Sequence, residues 1–63
     1  MSLEPGDRVI ALQEVGEGFF APVAKGMKGT VTDRSSWNGA LTVTFDNGSR
    51  VEDLQEGRHV AKA

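Results

Sequence analysis

The chain of 63 residues has no cysteine and no tyrosine, and it holds one tryptophan, one histidine and two prolines. Without cysteine there is neither a disulfide framework nor a thiolate metal site, which suits a reducing compartment. Without tyrosine the chain lacks the groove aromatics on which eukaryotic-type proline-peptide recognition depends. No apolar run approaches the roughly 18 residues of a membrane helix. The start from Met1 to Pro5 has neither the basic nor the apolar region of a leader, so a cytoplasmic protein with no membrane association is expected. A basic excess is also missing, with seven Lys and Arg against nine Asp and Glu and a net charge of −2. Sequence-independent nucleic-acid binding usually shows such an excess, because it runs on phosphate neutralisation. A chain this short makes one domain, residues 1–63, that buries only about 60% of its unfolded surface. Self-association is a natural way to widen so thin a margin.

What the chain does have is β patterning punctuated by glycine. Pro5-Gly6-Asp7 is a turn into an apolar, β-branched run from Arg8 to Leu12, the first strand. Gln13 to Ala24 has neither helical nor alternating periodicity and reads as a long loop. Its Phe19 and Phe20 cannot both face inward on an extended backbone. From Met27 to Thr32 the side chains alternate, with Met27, Gly29 and Val31 on one face and Lys28, Thr30 and Thr32 on the other. Gly29 within a strand marks a bulge or a close backbone approach. Asp33 to Ala40 is a turn-rich connection in which Asn38-Gly39 signals a hairpin. Leu41, Val43 and Phe45 alternate with threonines in the clearest half-buried strand. Asn47-Gly48 predicts a type I′ turn that returns the chain through Ser49, Arg50 and Val51, with Val51 inward. Glu52 to Gly57 is too short for an α-helix and reads as a single 3₁₀ turn with Leu54 plugging the barrel end. His59 to Ala61 then pairs with the first strand and removes the free edges. No internal repeat is expected. The order is that of an all-β, five-stranded SH3-like barrel with a long first loop and one 3₁₀ turn.

The segments Gly6-Asp7-Arg8-Val9, Ala21-Pro22, Gly26 to Thr32 and Val43 to Ser49 resemble a family of small bacterial and phage proteins. Its motifs are Gly-x-x-Val, Ala-Pro, Gly-x-x-Gly-x-Val and Trp-Asp-Asn-Gly-Ser. The likeness runs over residues 6 to 59. It implies an SH3-like fold and a bacterial or phage origin, and it brings no activity with it. Phe45 stands where that family has tryptophan, and the loop from Glu14 to Gly18 lacks the family's Met-Asp-Asp-Pro-like sequence. The Gly-Asp-Arg-Val start is also similar to that of the trimethoprim-resistant plasmid dihydrofolate reductases. Their Val-Gln-Ile-Tyr active-site segment has no counterpart, since Ser49-Arg50-Val51-Glu52 stands there, so this likeness stops at the fold.

Several patterns suggest chemistry and fail on context. Gly16-Glu17-Gly18-Phe19-Phe20-Ala21 matches a dinucleotide fingerprint, but no helix follows to meet a pyrophosphate. Gly26-Met27-Lys28-Gly29 matches a nucleic-acid backbone clamp that needs flanking helices. His59 with Ser35, Ser36 or Ser49 and Asp33 or Asp53 lacks the concavity that a triad requires. His59 with Glu52, Asp53 and Glu56 shows no metal-ligand spacing. Asp46-Asn47-Gly48 falls short of a calcium loop. A non-enzymatic binding module with no cofactor or metal is therefore expected. Trp37, with Arg34 before it, belongs to the residue types that dominate interfaces, and it either faces a partner or folds back over the core. Phe19 and Phe20 would form the other wall of the same patch for a protein partner or a second copy of the chain. An alternative is a nucleic-acid surface on Lys25, Lys28, Arg34 and Arg50 with Trp37 stacking on a base. The resemblance alone adds a third, a phage counter-defence protein that sequesters a host factor or a nucleotide signal.

Overall fold

A computed structural model describes residues 3–15 and 22–63. These form five strands: β1 (Arg8–Ala11), β2 (Lys28–Arg34), β3 (Leu41–Phe45), β4 (Arg50–Leu54) and β5 (Val60–Lys62). All pair antiparallel in one sheet of order β4-β3-β2-β1-β5, which curls toward a barrel. Alternation does the work: Val9 and Ala11, Gly29 and Val31, and Leu41, Val43 and Phe45 point inward, while Lys28 and Thr30 or Thr42 and Thr44 point outward. Leu3, Val15, Val23, Leu54 and Val60 complete the core from the connections and outer strands. The expected loop aromatics Phe19 and Phe20 lie outside the described residues.

The centre of the sheet is built from one unit used twice, at an offset of 20 residues. Glu4-Pro5-Gly6-Asp7 and Ala24-Lys25-Gly26-Met27 are each closed by a bond from the fourth N–H to the first carbonyl, at 3.0 and 3.1 Å. Gly6 and Gly26 have φ of 99° and 92°, the conformation a type II turn demands at its third residue. Each turn then feeds a strand. The Gly6 N–H donates to the Val31 carbonyl and the Gly26 N–H to the Ala11 carbonyl, both at 2.8 Å. The Val31 N–H donates to the Asp7 carbonyl and the Ala11 N–H to the Met27 carbonyl, both at 2.9 Å. The pattern of buried, half-buried and exposed residues over 3–14 is repeated over 23–34. The register extends the relation outward, because β5 lies on β1 as β3 lies on β2: Val9 faces Lys62 where Gly29 faces Phe45. This internal repeat escaped the sequence, because within the two turn-and-strand segments only Gly6 and Gly26 coincide in residue type.

Val9 and Gly29 are the equivalent residues at the centre of the unit, and they pair with each other. Their difference is forced by β3. A Cβ on Gly29 would stand 2.8 Å from Val43 Cγ1, 2.9 Å from Phe45 Cα and 2.9 Å from the Thr44 carbonyl oxygen. The strand glycine thus marks a close backbone approach.

Two bulges adjust the sheet. Between Val31 and Asp33 β2 carries one residue more than β3, at Thr32, whose hydroxyl donates to the Thr42 carbonyl at 3.3 Å. Between Val51 and Leu54 β4 carries one more than β3. Val51 and Leu54 both face the core although three positions apart, which a regular two-residue alternation forbids. The extra residue resolves the conflict, and Asp53 absorbs it at φ 61°, the one described non-glycine residue with positive φ.

Two expectations need correction. Glu52 to Leu54 extend β4 instead of forming a 3₁₀ turn, because the bulge lets Leu54 reach the core from a strand. The turn comes later, where the Gln55 carbonyl accepts from Arg58 and His59 at 3.2 and 2.9 Å. The β3–β4 connection is not a type I′ turn either, since Asn47 does not have positive φ. Instead Gly48 bonds back to the Phe45 carbonyl at 2.9 Å and takes the left-handed position at φ 90°, a three-residue loop.

Gly29→Ala is expected to cost about 1–3 kcal/mol, since backbone as well as a side chain must give way. In thermal unfolding this appears as a Tm lower by at least about 5 °C; an unchanged Tm would show that β2 and β3 can part at this point.

Candidate functional site

The β2–β3 hairpin is the feature that most resembles a contact surface. Its strands end at Arg34 and restart at Leu41, and the Ser35 N–H donates to the Ala40 carbonyl at 2.8 Å. The tip is fixed locally: the Gly39 N–H donates to the Ser35 carbonyl at 3.0 Å, and the Asn38 side-chain oxygen accepts from the Ala40 N–H at 3.0 Å. Gly39 holds φ at 72°. With its neighbours so bonded, Trp37 projects from the loop at 86% exposure and covers no core. Arg34 is exposed on the same hairpin, beside Asp33, whose carboxylate accepts from the Arg34 backbone N–H at 2.8 Å.

The structure does not bring the described base of the first loop to this tip. Val15 and Val23 pair across that base with reciprocal bonds of 3.1 Å. The Asn47 side-chain nitrogen donates to the Pro22 carbonyl at 3.4 Å, which ties the base to the β3–β4 turn. Trp37 lies beyond the other end of β3. Phe19 and Phe20, the expected second wall, are not among the described residues.

The candidate cations divide in the same way. Lys28 and Arg50 are exposed on the outer face of the sheet, where Arg8, Thr30, Thr44 and Arg50 form a cross-strand row. Lys25 sits in the turn that leads into Lys28. Arg34 is six residues further along β2, roughly 20 Å away at strand spacing. Lys25, Lys28 and Arg50 can thus share a surface, and Arg34 belongs with Trp37.

One pair on that face was not foreseen. Arg8 donates from both terminal nitrogens to the Asp46 carboxylate, at 3.0 and 2.9 Å, and also to the Thr30 hydroxyl at 2.9 Å. The fork geometry matches the two oxygens of the carboxylate. Hydrogen bonding from Arg8 holds the Asp46 carboxyl below its usual range, with the charges of Arg8 and Lys28 acting in the same direction. In the sequence the two residues stand 38 apart, and only the pairing of β1, β2 and β3 joins them.

His59, Glu56, Asp53 and Ser49 hold structural positions. His59 Nδ1 accepts from the Gln55 N–H at 2.9 Å, and Glu56 accepts from the Leu3 N–H at 3.1 Å. Asp53 fills the bulge, and Ser49 is buried beside the β3–β4 turn. Among the described residues no three His, Asp or Glu side chains gather closely enough to hold a metal ion. No helix among them is long and apolar enough to cross a membrane. Comparison with family models, with curated proteins and with solved structures finds no match.

The Arg8–Asp46 pair has a stated pH dependence. With the folded Asp46 pKa lowered, its contribution to stability is fully present above the ordinary aspartate value of about 4 and is lost as pH falls through the lowered value. Asp46→Asn is therefore expected to unfold with a shallower fall of Tm on the acid side than the natural chain. Parallel Tm profiles for the two proteins would show that the pair does not hold in solution.

Proposed function

We propose that the chain is a small non-enzymatic binding module of SH3-like design that works in the cytoplasm and holds a protein partner through the tip of the β2–β3 hairpin. Trp37 carries this reading. A large ring held out at 86% exposure by a tip whose own backbone groups are bonded gives nothing to the core. Trp and Arg are the side chains that supply most binding energy at protein interfaces, and Arg34 stands on the same hairpin. The strand order β4-β3-β2-β1-β5, with a long connection after β1 and a turn between β4 and β5, supports the SH3-like assignment.

A second reading has one specific observation in its favour: Lys28, Arg50 and Arg8 share the outer sheet face. Arg8 is already occupied by Asp46, which leaves less positive charge for phosphates. Nucleic-acid binding there would fall steeply with salt and would not depend on Trp37.

Trp37→Ala is expected to leave Tm nearly unchanged, within about 0.5 kcal/mol, because the ring covers nothing. The same change is expected to weaken capture of the cognate partner by about thirtyfold, the size of a hot-spot loss. Quantitative pull-down from host extract with the natural and variant chains checks this. Partners retained equally by both proteins would remove the hairpin from the interface, and retention of RNA or DNA that is lost at moderate salt would favour the second reading.

A further inference from the structure

The two edges of the sheet are not equivalent. At β5 the outward backbone groups of Val60 are taken by the preceding turn: its carbonyl accepts from Gly57 at 2.7 Å, and its N–H points to the Gln55 carbonyl at 3.5 Å. At β4, among the described residues, no strand lies on the far side. The Phe45 N–H bonds to the Ser49 carbonyl at 2.7 Å, which fixes the parity of the β3–β4 ladder. Residues 49 and 51 turn their backbone groups to β3, so Arg50 and Glu52 turn theirs outward.

We propose that this edge recognises itself: two copies of the chain pair β4 against β4, antiparallel, about a twofold axis at Val51. Antiparallel strands exchange hydrogen bonds between residues whose backbone groups face each other. With the axis at Val51, Arg50 lies opposite Glu52 of the partner subunit, and Glu52 lies opposite Arg50 of the partner subunit. Each of these two pairs exchanges two backbone bonds. Arg50 and Glu52 are both exposed on the outer face, so each pair also sets opposite charges side by side. A two-residue slip either way sets Arg50 against Arg50 of the partner subunit, or Glu52 against Glu52 of the partner subunit, and like charges repel. Charged side chains usually protect an edge from pairing; here their order makes one register attractive and its neighbours unfavourable.

Val51 supports the same register. It is the inward-facing apolar residue of β4 that stays only partly buried while packing against the core. On the axis it would lie against Val51 of the partner subunit in a close, non-hydrogen-bonded pair and lose its remaining exposure. The bulge at Asp53 ends the pairing after Glu52, so the contact is short and the association weak. The proposal is independent of the role given to Trp37, which stands on the other hairpin.

Sedimentation velocity from about 10 µM to about 1 mM tests it with the full chain. The natural protein is expected to pass from monomer to dimer over this range. Glu52→Arg alone and Arg50→Glu alone each set like charges opposite each other and are expected to weaken dimerisation about tenfold or more. An equimolar mixture of the two variants restores both opposite-charge pairs and is expected to form a heterodimer, which also shows that each variant is folded. Trp37→Ala is expected to dimerise as the natural chain does. A natural protein that stays monomeric to the top of the range overturns the proposal. So do single reversals that dimerise unimpaired, a mixture that fails to restore the dimer, or a dimer lost with Trp37→Ala.

Discussion

The approach of β3 onto Gly29 is the constraint from which the rest of the architecture follows. A residue with any side chain would meet Val43, the Phe45 backbone and the Thr44 carbonyl at under 3 Å. With that space left empty, Val9, Val31, Val43 and Phe45 close over one core. In a chain of this size the burial of such a cluster is most of what opposes chain entropy. The equivalent place on the other strand of the repeat holds Val9, because β5 brings Lys62 to the position that Phe45 takes on β3. One half of the pseudo-symmetric unit therefore thickens the core, and the other thins out toward solvent.

That asymmetry arranges the surfaces. The β2–β3 side continues past the core into a hairpin whose tip is bonded to itself, and Trp37 is left in water. Beyond β3, the bulged strand β4 shows its outer edge, whereas on β5 the outward groups of Val60 are taken by the preceding turn. The outer face between them is tied across three strands by Arg8, Asp46 and Thr30. Surface ion pairs contribute little as a rule, and what distinguishes this one is its bidentate geometry. His59, Glu56 and Asp53 are each engaged in holding a turn or a bulge.

The strands were legible wherever side chains alternate. Leu41 to Phe45 and Met27 to Val31 announce their inner and outer faces residue by residue, and Gly29 announced the close approach. The features that were not legible depend on contacts between distant segments. Nothing near Thr32 or Asp53 signals a bulge, since each is set by what the neighbouring strand must bury. The inward demand of Leu54 is visible as a lone leucine among acids, but that pattern suits a 3₁₀ turn as well as the bulged strand that serves here. Asn47-Gly48 suits a two-residue turn by composition, yet the register of Phe45 against Ser49 imposes a three-residue one. The internal repeat is the extreme case, carried by backbone bonding and burial with little identity of residues. For the site, Trp37 and Arg34 could be nominated by type, and only the closed tip of the hairpin shows that the ring faces solvent.

The proposed pairing of two copies at the β4 edge is most directly tested by amide hydrogen exchange of Arg50, Val51 and Glu52, followed by NMR as protein concentration is raised. The Val51 amide, turned toward β3, is expected to exchange slowly at every concentration. The Arg50 and Glu52 amides are expected to exchange fast in dilute protein and to slow progressively as pairs of chains form. Arg50 and Glu52 amides that are slow even at high dilution would contradict the open edge, and amides that stay fast at the highest concentration would contradict its pairing.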